Sequence, residues 1–231
     1  MPSENAAAQR LHYEIVRTLL GSGVCPSNIE LSRRLEISLS EVEDAFRSLA
    51  DGHGVVLHPH VCEPWVIHPF SLTPTLNYVQ ASGRGWWAPC IWCALGVAAL
   101  AGGAVEIHTR LAAETSPLVL NVRDGEPDPA GGVVAHFAIP PRHAWQNVHR
   151  HCALVLPFRS AADIVAWCAR HGQSMGEAVP LEQVARLARL WYGRHADPGW
   201  RKWNVAEARE IFRKAGLVSP FWELGGSAGR F

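Results

Sequence analysis

The sequence has no surplus of charge of either sign. Lys plus Arg and Asp plus Glu each number 21, so no overall field draws the chain to polyanions or to an anionic membrane surface. It also lacks an apolar run long enough to cross a bilayer: the longest, near residues 97–104, falls well short of the roughly 18 residues a span needs. The opening MPSENAAAQR has no basic-then-apolar signal pattern, so a cytoplasmic location is expected. Internal repeats and low-complexity segments are missing too. These absences leave a globular chain of 231 residues, 48% hydrophobic, able to bury one substantial core or a small domain beside a larger one. They imply neither nucleic acid nor a membrane as partner.

Six cysteines remain to be explained. In a reducing compartment they favour metal binding, catalysis or simple packing over a disulfide framework. Cys90 and Cys93 form a CxxC pair inside GWWAPCIWCALGVAAL, residues 85–100. Alone, such a pair fits a redox motif, half of a zinc site or two packed residues. No second CxxC or HxxxH completes a zinc ribbon, although HRHC at 149–152 offers His149, His151 and Cys152 as ligands. A thioredoxin-like motif would follow a strand, whereas GRGWWAPC is a loop rich in glycine and tryptophan. Cys25, Cys62 and Cys168 sit in apolar or turn contexts and are read as packing residues.

Two modules emerge from hydrophobic spacing, and the predicted class is α+β. In residues 1–68, Leu11, Ile15, Leu19 and Leu20 keep helical period. Ser27 caps a second helix, and Ser40 with Glu43 is read as the capping box of a third. VVLH and WVIH then supply two short strands, a winged-helix-like pattern. That pattern often binds DNA, but residues 1–54 carry five Arg against eight Asp and Glu. The third helix also shows Glu41, Glu43 and Asp44 to solvent, so this module is expected to pack on the rest of the chain and shield a site. In residues 69–231 a buried helix from Cys93 to Leu100 is stopped by Gly102 and Gly103. Strands are expected at EIHTRL, LVLNV, VVAHFAI and ALVLPF. Helices follow from a Ser160 cap to Arg170, over about 180–195, and over 204–215 between an Asn204 cap and Gly216.

Taken in chain order, these features resemble the alkylmercury lyase (organomercurial lyase) family over nearly the full length. The N-terminal module, the WCALG helix start, the strand block with NVRDGEPDPAGG and QNVHRHCALVLPFRSAADIVAWCARHG carry the likeness. LWYGRHADPGWRKW and GLVSPFWEL resemble a longer branch of that family. The resemblance implies that two cysteines, Cys93 and Cys152, grip the metal of an organomercurial while a nearby aspartate relays the proton that cleaves the carbon–mercury bond. Gly96 stands in that aspartate's place. It further implies that no cofactor is required, a soft metal ion such as Hg(II) being substrate or product. Cys90, Trp92, Gly96 and His151 are then the expected substrate neighbours.

The chemistry is coherent, because thiolates prefer soft metals and their electron donation makes the bound carbon easier to protonate. Cys93 at a helix start gains dipole help toward thiolate, and His149 or His151 is placed to take a proton from Cys152. Trp86, Trp87 and Trp92 are read either as core or as pocket wall. Cys93 and Cys152 are expected close enough to share one metal ion, and Gly96→Asp is expected to raise cleavage without destabilising the fold unless the missing side chain makes room for a neighbour, the other reading of Gly96 being that it lets another helix pack closely. The alternatives are a soft-metal or cofactor-binding protein that uses the same thiols without lyase activity, and a winged-helix regulator that senses metal.

Overall fold

The computed structural model describes residues 3–129 and 132–225. Three helices open the chain, α1 (Ser3–Ser22), α2 (Asn28–Leu35) and α3 (Leu39–Asp51). Ser27 caps α2 in a full capping box with Glu30. The box of α3 is Ser38 with Glu41, two residues earlier than the Ser40–Glu43 pair. Both pairs have the S-x-x-E spacing, and the apolar flanks decide between them. Starting at Leu39 puts Ile37 just before the cap and Val42 at the fourth helical position, where a hydrophobic staple forms, and both belong to one core cluster. Ser38→Ala is expected to cost about 1 kcal/mol in a denaturant melt, because the Glu41 N–H loses its acceptor at 3.2 Å. Ser40→Ala should be nearly silent.

The strands β1 (Val56–Leu57), β2 (Pro64–Ile67) and β3 (Phe70–Ser71) lead into the hairpin of β4 (Asn77–Ala81) and β5 (Arg84–Ala88). After α4 (Ile91–Ala101) come β6 (Ala104–Arg110), β7 (Pro117–Arg123) and β8 (Glu126–Pro127). These strands form one eight-stranded sheet in the order β1-β2-β3-β5-β4-β6-β7-β8, every pairing antiparallel. The β1–β2 hairpin is therefore the sheet's edge. A second sheet, β10-β9-β11, is built from β9 (Val134–Phe137), β10 (Val155–Phe158) and β11 (Glu177–Pro180). The remaining helices are α5 (Val148–Ala153), α6 (Ala161–His171), α7 (Leu181–Tyr192) and α8 (Val205–Lys214). Caps at Ser160 and Asn204 fall where the sequence places them. The strand expected from residue 153 begins at Val155, and HRHC lies on α5. Asn147 is the reason: its side chain accepts the Arg150 N–H at 2.9 Å and starts a helical turn.

The core runs unbroken from Leu11, Ile15 and Phe46 to Leu95, Leu187 and Phe212. The first helices are tied to the sheet by polar contacts as well. Trp86 Nε1 donates to the Leu19 carbonyl at 2.6 Å. Arg84 reaches the Leu20 and Gly21 carbonyls at 2.9 and 3.0 Å. At the centre lies α4, whose residues 91–98 are all buried. A helix apolar on every side belongs in such a position, and it carries the CxxC pair.

Candidate functional site

The chain turns from β5 into α4 at Cys90, which is the helix N-cap, and its sulfur accepts the Cys93 N–H at 3.4 Å. Cys93, three residues on, points across to α7, where its sulfur lies 3.4 Å from the Tyr192 hydroxyl. The third thiol, Cys152, arrives on α5 and sits 3.7 Å from Nε2 of His68, in the turn between β2 and β3. The sulfurs of Cys93 and Cys152 and a ring nitrogen of His68 all lie within 4.8 Å of one another. Among the described residues no other group of His, Cys, Asp or Glu gathers in this way.

The three buried thiols interact with one another, and their hydrogen bonds pull their ionisation in opposite directions. For Cys90, burial opposes ionisation, but donation from the Cys152 and Cys93 thiols and from the Cys93 N–H outweighs it and holds the group well below a free thiol. Burial pushes Cys93 well above the ordinary range. Cys152 is pushed up first by its hydrogen bonds to Cys90 and Cys93, then by burial. The helix start thus favours thiolate at Cys90, its cap, and not at Cys93 as the motif alone suggests. The cap sulfur collects the helical N–H, whereas the sulfur one turn later faces a phenol.

Position 96 shows why a carboxylate is missing. A Cβ built on Gly96 would stand 2.3 Å from Cδ2 of Tyr192 and 2.9 Å from its Cε2 and Cγ. The tyrosine ring occupies the volume a side chain there would need, and its hydroxyl reaches the neighbouring thiol instead. Tyr192 itself keeps its proton, since burial and then the thiol charges push its ionisation far up.

A cavity of about 50 Å³ opens onto Cys152, Tyr192 and His68, with Trp92, Trp145 and Trp191 among its aromatic walls. Lys202, from the segment between α7 and α8, also lines it. Its ammonium lies 4.5 Å from the centroid of the Trp145 ring. Burial lowers this lysine to about 7, against the opposing pull of Cys93 and Cys152. His68 is driven down to about 3 by burial, then by Lys202, His151 and His149, so its ring is neutral beside the Cys152 sulfur. His151 lines the same cavity and is likewise lowered by burial. Among the described residues, no carboxylate does so.

Of the residues singled out from sequence, Cys90, Cys93, Cys152, Trp92, Gly96 and His151 converge here. Trp86 is engaged with α1, Trp87 is partly exposed on the sheet, and His149 is exposed beside Trp65 with ring centroids 5.4 Å apart. Cys25 and Cys62 lie elsewhere, half-buried, and Cys168 packs in a separate cluster with Phe158 and Trp167. Sequence reasoning missed His68, Tyr192 and Lys202. The one available signal was GWRKW, a lysine between aromatic anchors.

A model of the alkylmercury lyase family, MerB, matches residues 70–193, so His68 and Lys202 fall just outside the matched region on either side. No curated protein matches the chain. Among solved structures, the fold is similar to that described as the crystal structure of the mercury-bound form of MerB2. The TM-score is 0.59 at 19% identity, and the match covers 86% of this chain and 97% of that one. With more than half of its length matched by the family model, over a segment that includes Cys90, Cys93, Gly96, Cys152 and Tyr192, the chain belongs to the alkylmercury lyase family.

Proposed function

We propose that the protein captures small organomercurial cations through Cys93 and Cys152 and releases the organic group as hydrocarbon by protonating the mercury-bound carbon. The observation that carries this reading is the convergence of two buried thiols and a neutral imidazole within 4.8 Å at the foot of an aromatic cavity. Soft Hg(II) prefers sulfur to every other side-chain donor. The similar solved structure is a mercury-bound form, which supports the same ligand class.

A thiolate at Cys90 gives capture a definite proton balance. An organomercurial RHgX loses X and gains bonds to the Cys93 and Cys152 sulfurs, which give up two protons. One proton leaves as HX, and the other passes to the Cys90 thiolate. The site therefore holds one negative charge before capture, on Cys90, and one after it, on the RHg(S)₂ centre. A buried site that conserves its charge avoids the large cost of creating an uncompensated ion away from water. In this role Cys90 is a base and an auxiliary thiol, and His68 orients Cys152. Trp92, Trp145 and Trp191 shelter the organic group.

We read the first three helices as support for the site and assign them no nucleic-acid role. On α3, Arg47 is held by Glu43 and Asp44, each at 2.8 Å, which leaves the exposed face acidic. Among the described residues no helix is long and apolar enough to cross a membrane.

A single-turnover assay with an arylmercurial tests the reading, with mass spectrometry counting bound metal and gas chromatography counting free arene. Wild type should take up one equivalent and release arene, and Cys93→Ser should lose both. The lack of a carboxylate in the cavity among the described residues favours one second reading, capture of a soft cation without cleavage. Stoichiometric uptake with no arene would select it, and no uptake at all would sink both.

A further inference from the structure

The cleavage step needs an acid, and the position where the family resemblance expects one is a glycine filled by a tyrosine ring. We propose that Lys202 supplies the proton to the mercury-bound carbon, an inference that rests on the lyase reading above. Among the described residues Lys202 is the sole lysine or arginine lining the cavity onto which Cys152 opens, and no carboxylate shares that wall.

Its placement is built by the flanking residues. Trp203 Nε1 donates to the Trp191 carbonyl at 3.0 Å, tying one side of the lysine to α7. On the other side Trp200 stacks on His12 of α1, with centroids 3.5 Å apart and planes 10° from parallel. The intervening Arg201 pairs with Glu207 on α8 at 2.5 Å. Three anchors fix the backbone around Lys202, so its side chain turns inward and is only 8% exposed. Burying a lysine without a carboxylate is costly, and the compensation on this wall is one aromatic face and the charge of the thiol cluster.

The step balances. The carbon–mercury bond breaks with its electron pair on carbon, which takes a proton from the ammonium of Lys202 to give hydrocarbon. The nitrogen keeps its lone pair as a neutral amine. The RHg(S)₂ anion becomes neutral Hg(S)₂, so one negative and one positive charge vanish together inside a low-dielectric cavity, where an ion pair gains most from neutralisation. Mercury stays divalent throughout. With burial holding this lysine near 7, the amine is about half protonated at neutral pH and regains its proton from solvent when the site opens for product removal.

The decisive comparison uses the full chain with phenylmercuric acetate. It measures mercury uptake and benzene release for wild type, Lys202→Met and Lys202→Arg. Both variants should retain stoichiometric uptake through Cys93 and Cys152 and lose release by about 10²–10⁴, the usual worth of a general acid. Arginine keeps the positive charge but cannot give up a proton at neutral pH, so it separates proton transfer from charge compensation. Release by Lys202→Arg at the wild-type rate would overturn the assignment and leave Lys202 as a counter-charge, and full release by Lys202→Met would overturn it as well. Wild type that binds the metal yet frees no benzene would overturn the lyase reading and this assignment together.

Discussion

Gly96→Asp is expected to destabilise the protein by about 3–5 kcal/mol and to impair mercury capture, although the sequence alone leads one to expect a gain in cleavage. A new Cβ would have to push back the Tyr192 ring, whose Cδ2 is 2.3 Å from its ideal position. That ring is buried at the junction of α4 and α7, and turning it away would break the contact of its hydroxyl with Cys93 at 3.4 Å. The carboxylate would then lie beside thiols of which Cys90 is already held well below a free thiol, so the new charge meets a site that favours thiolate. Replacing a mid-helix glycine returns only about 1 kcal/mol, so the clash wins. Urea unfolding of Gly96→Asp, Tyr192→Ala and the double variant tests the cause. If the ring is the obstacle, the double variant should cost 1–3 kcal/mol less than the sum of the singles, the range expected for residues in contact. A Gly96→Asp protein as stable as wild type would show that the site has room the structure does not.

That reversal marks the boundary of what local sequence encodes here. Helix caps at Ser27, Ser160 and Asn204, and the Gly102–Gly103 stop after a buried apolar helix, depend on neighbours within a few residues and can be read along the chain. Ser38 and Ser40 compete with identical spacing, and only the way Ile37 and Val42 join the core separates them. The thiols are legible as reactive types, and family order pairs Cys93 with Cys152. Which sulfur holds the charge is not legible, because it depends on the three meeting in space. Tyr192 is invisible as the occupant of position 96, since nothing near either residue in sequence links them. Lys202 is harder still: a lysine in a polar loop reads as a solvated charge, and it becomes an interior group only once Trp200 finds His12 and Trp203 finds Trp191. The convergence of segments, rather than the identity of elements, is what periodicity leaves out.

The same interior predicts a steep loss of stability in acid. His12, His68 and His195 are buried, and each is held below its ordinary range first by that burial. Neighbouring positive charge adds to it: Lys202 for His12 and His68, and His12, Lys202 and His68 for His195. A base whose folded pKa is depressed stays neutral in the native state while the unfolded chain takes up a proton near pH 6.5. Its contribution to stability is therefore present above about pH 6.5 and is lost as the pH falls toward the folded value. Three such groups alone give a slope of about 4 kcal/mol per pH unit near pH 5, which exhausts a typical stability of about 5–15 kcal/mol by roughly pH 3–5, and His136 and His151, lowered by burial, and Cys90, held below a free thiol, add to it in the same sense. Lys202 acts in the same sense at a higher window. Its folded value near 7 makes stability rise from about pH 7, until the unfolded thiols begin to ionise near 8.5 while Cys93 and Cys152 stay protonated and reverse the trend. His12→Phe isolates one of the three. Both ring nitrogens of His12 lack a hydrogen-bond partner and the ring stacks on Trp200, so phenylalanine gives up no polar contact. It should reduce the slope near pH 5 by about 1.4 kcal/mol per unit and carry the acid midpoint lower. Guanidinium melts from pH 4.5 to 7.5 give the number of protons taken up on unfolding. At least three at pH 5 are expected for wild type and about one fewer for His12→Phe, whereas fewer than one in wild type would mean that the buried imidazoles already carry charge in the folded protein.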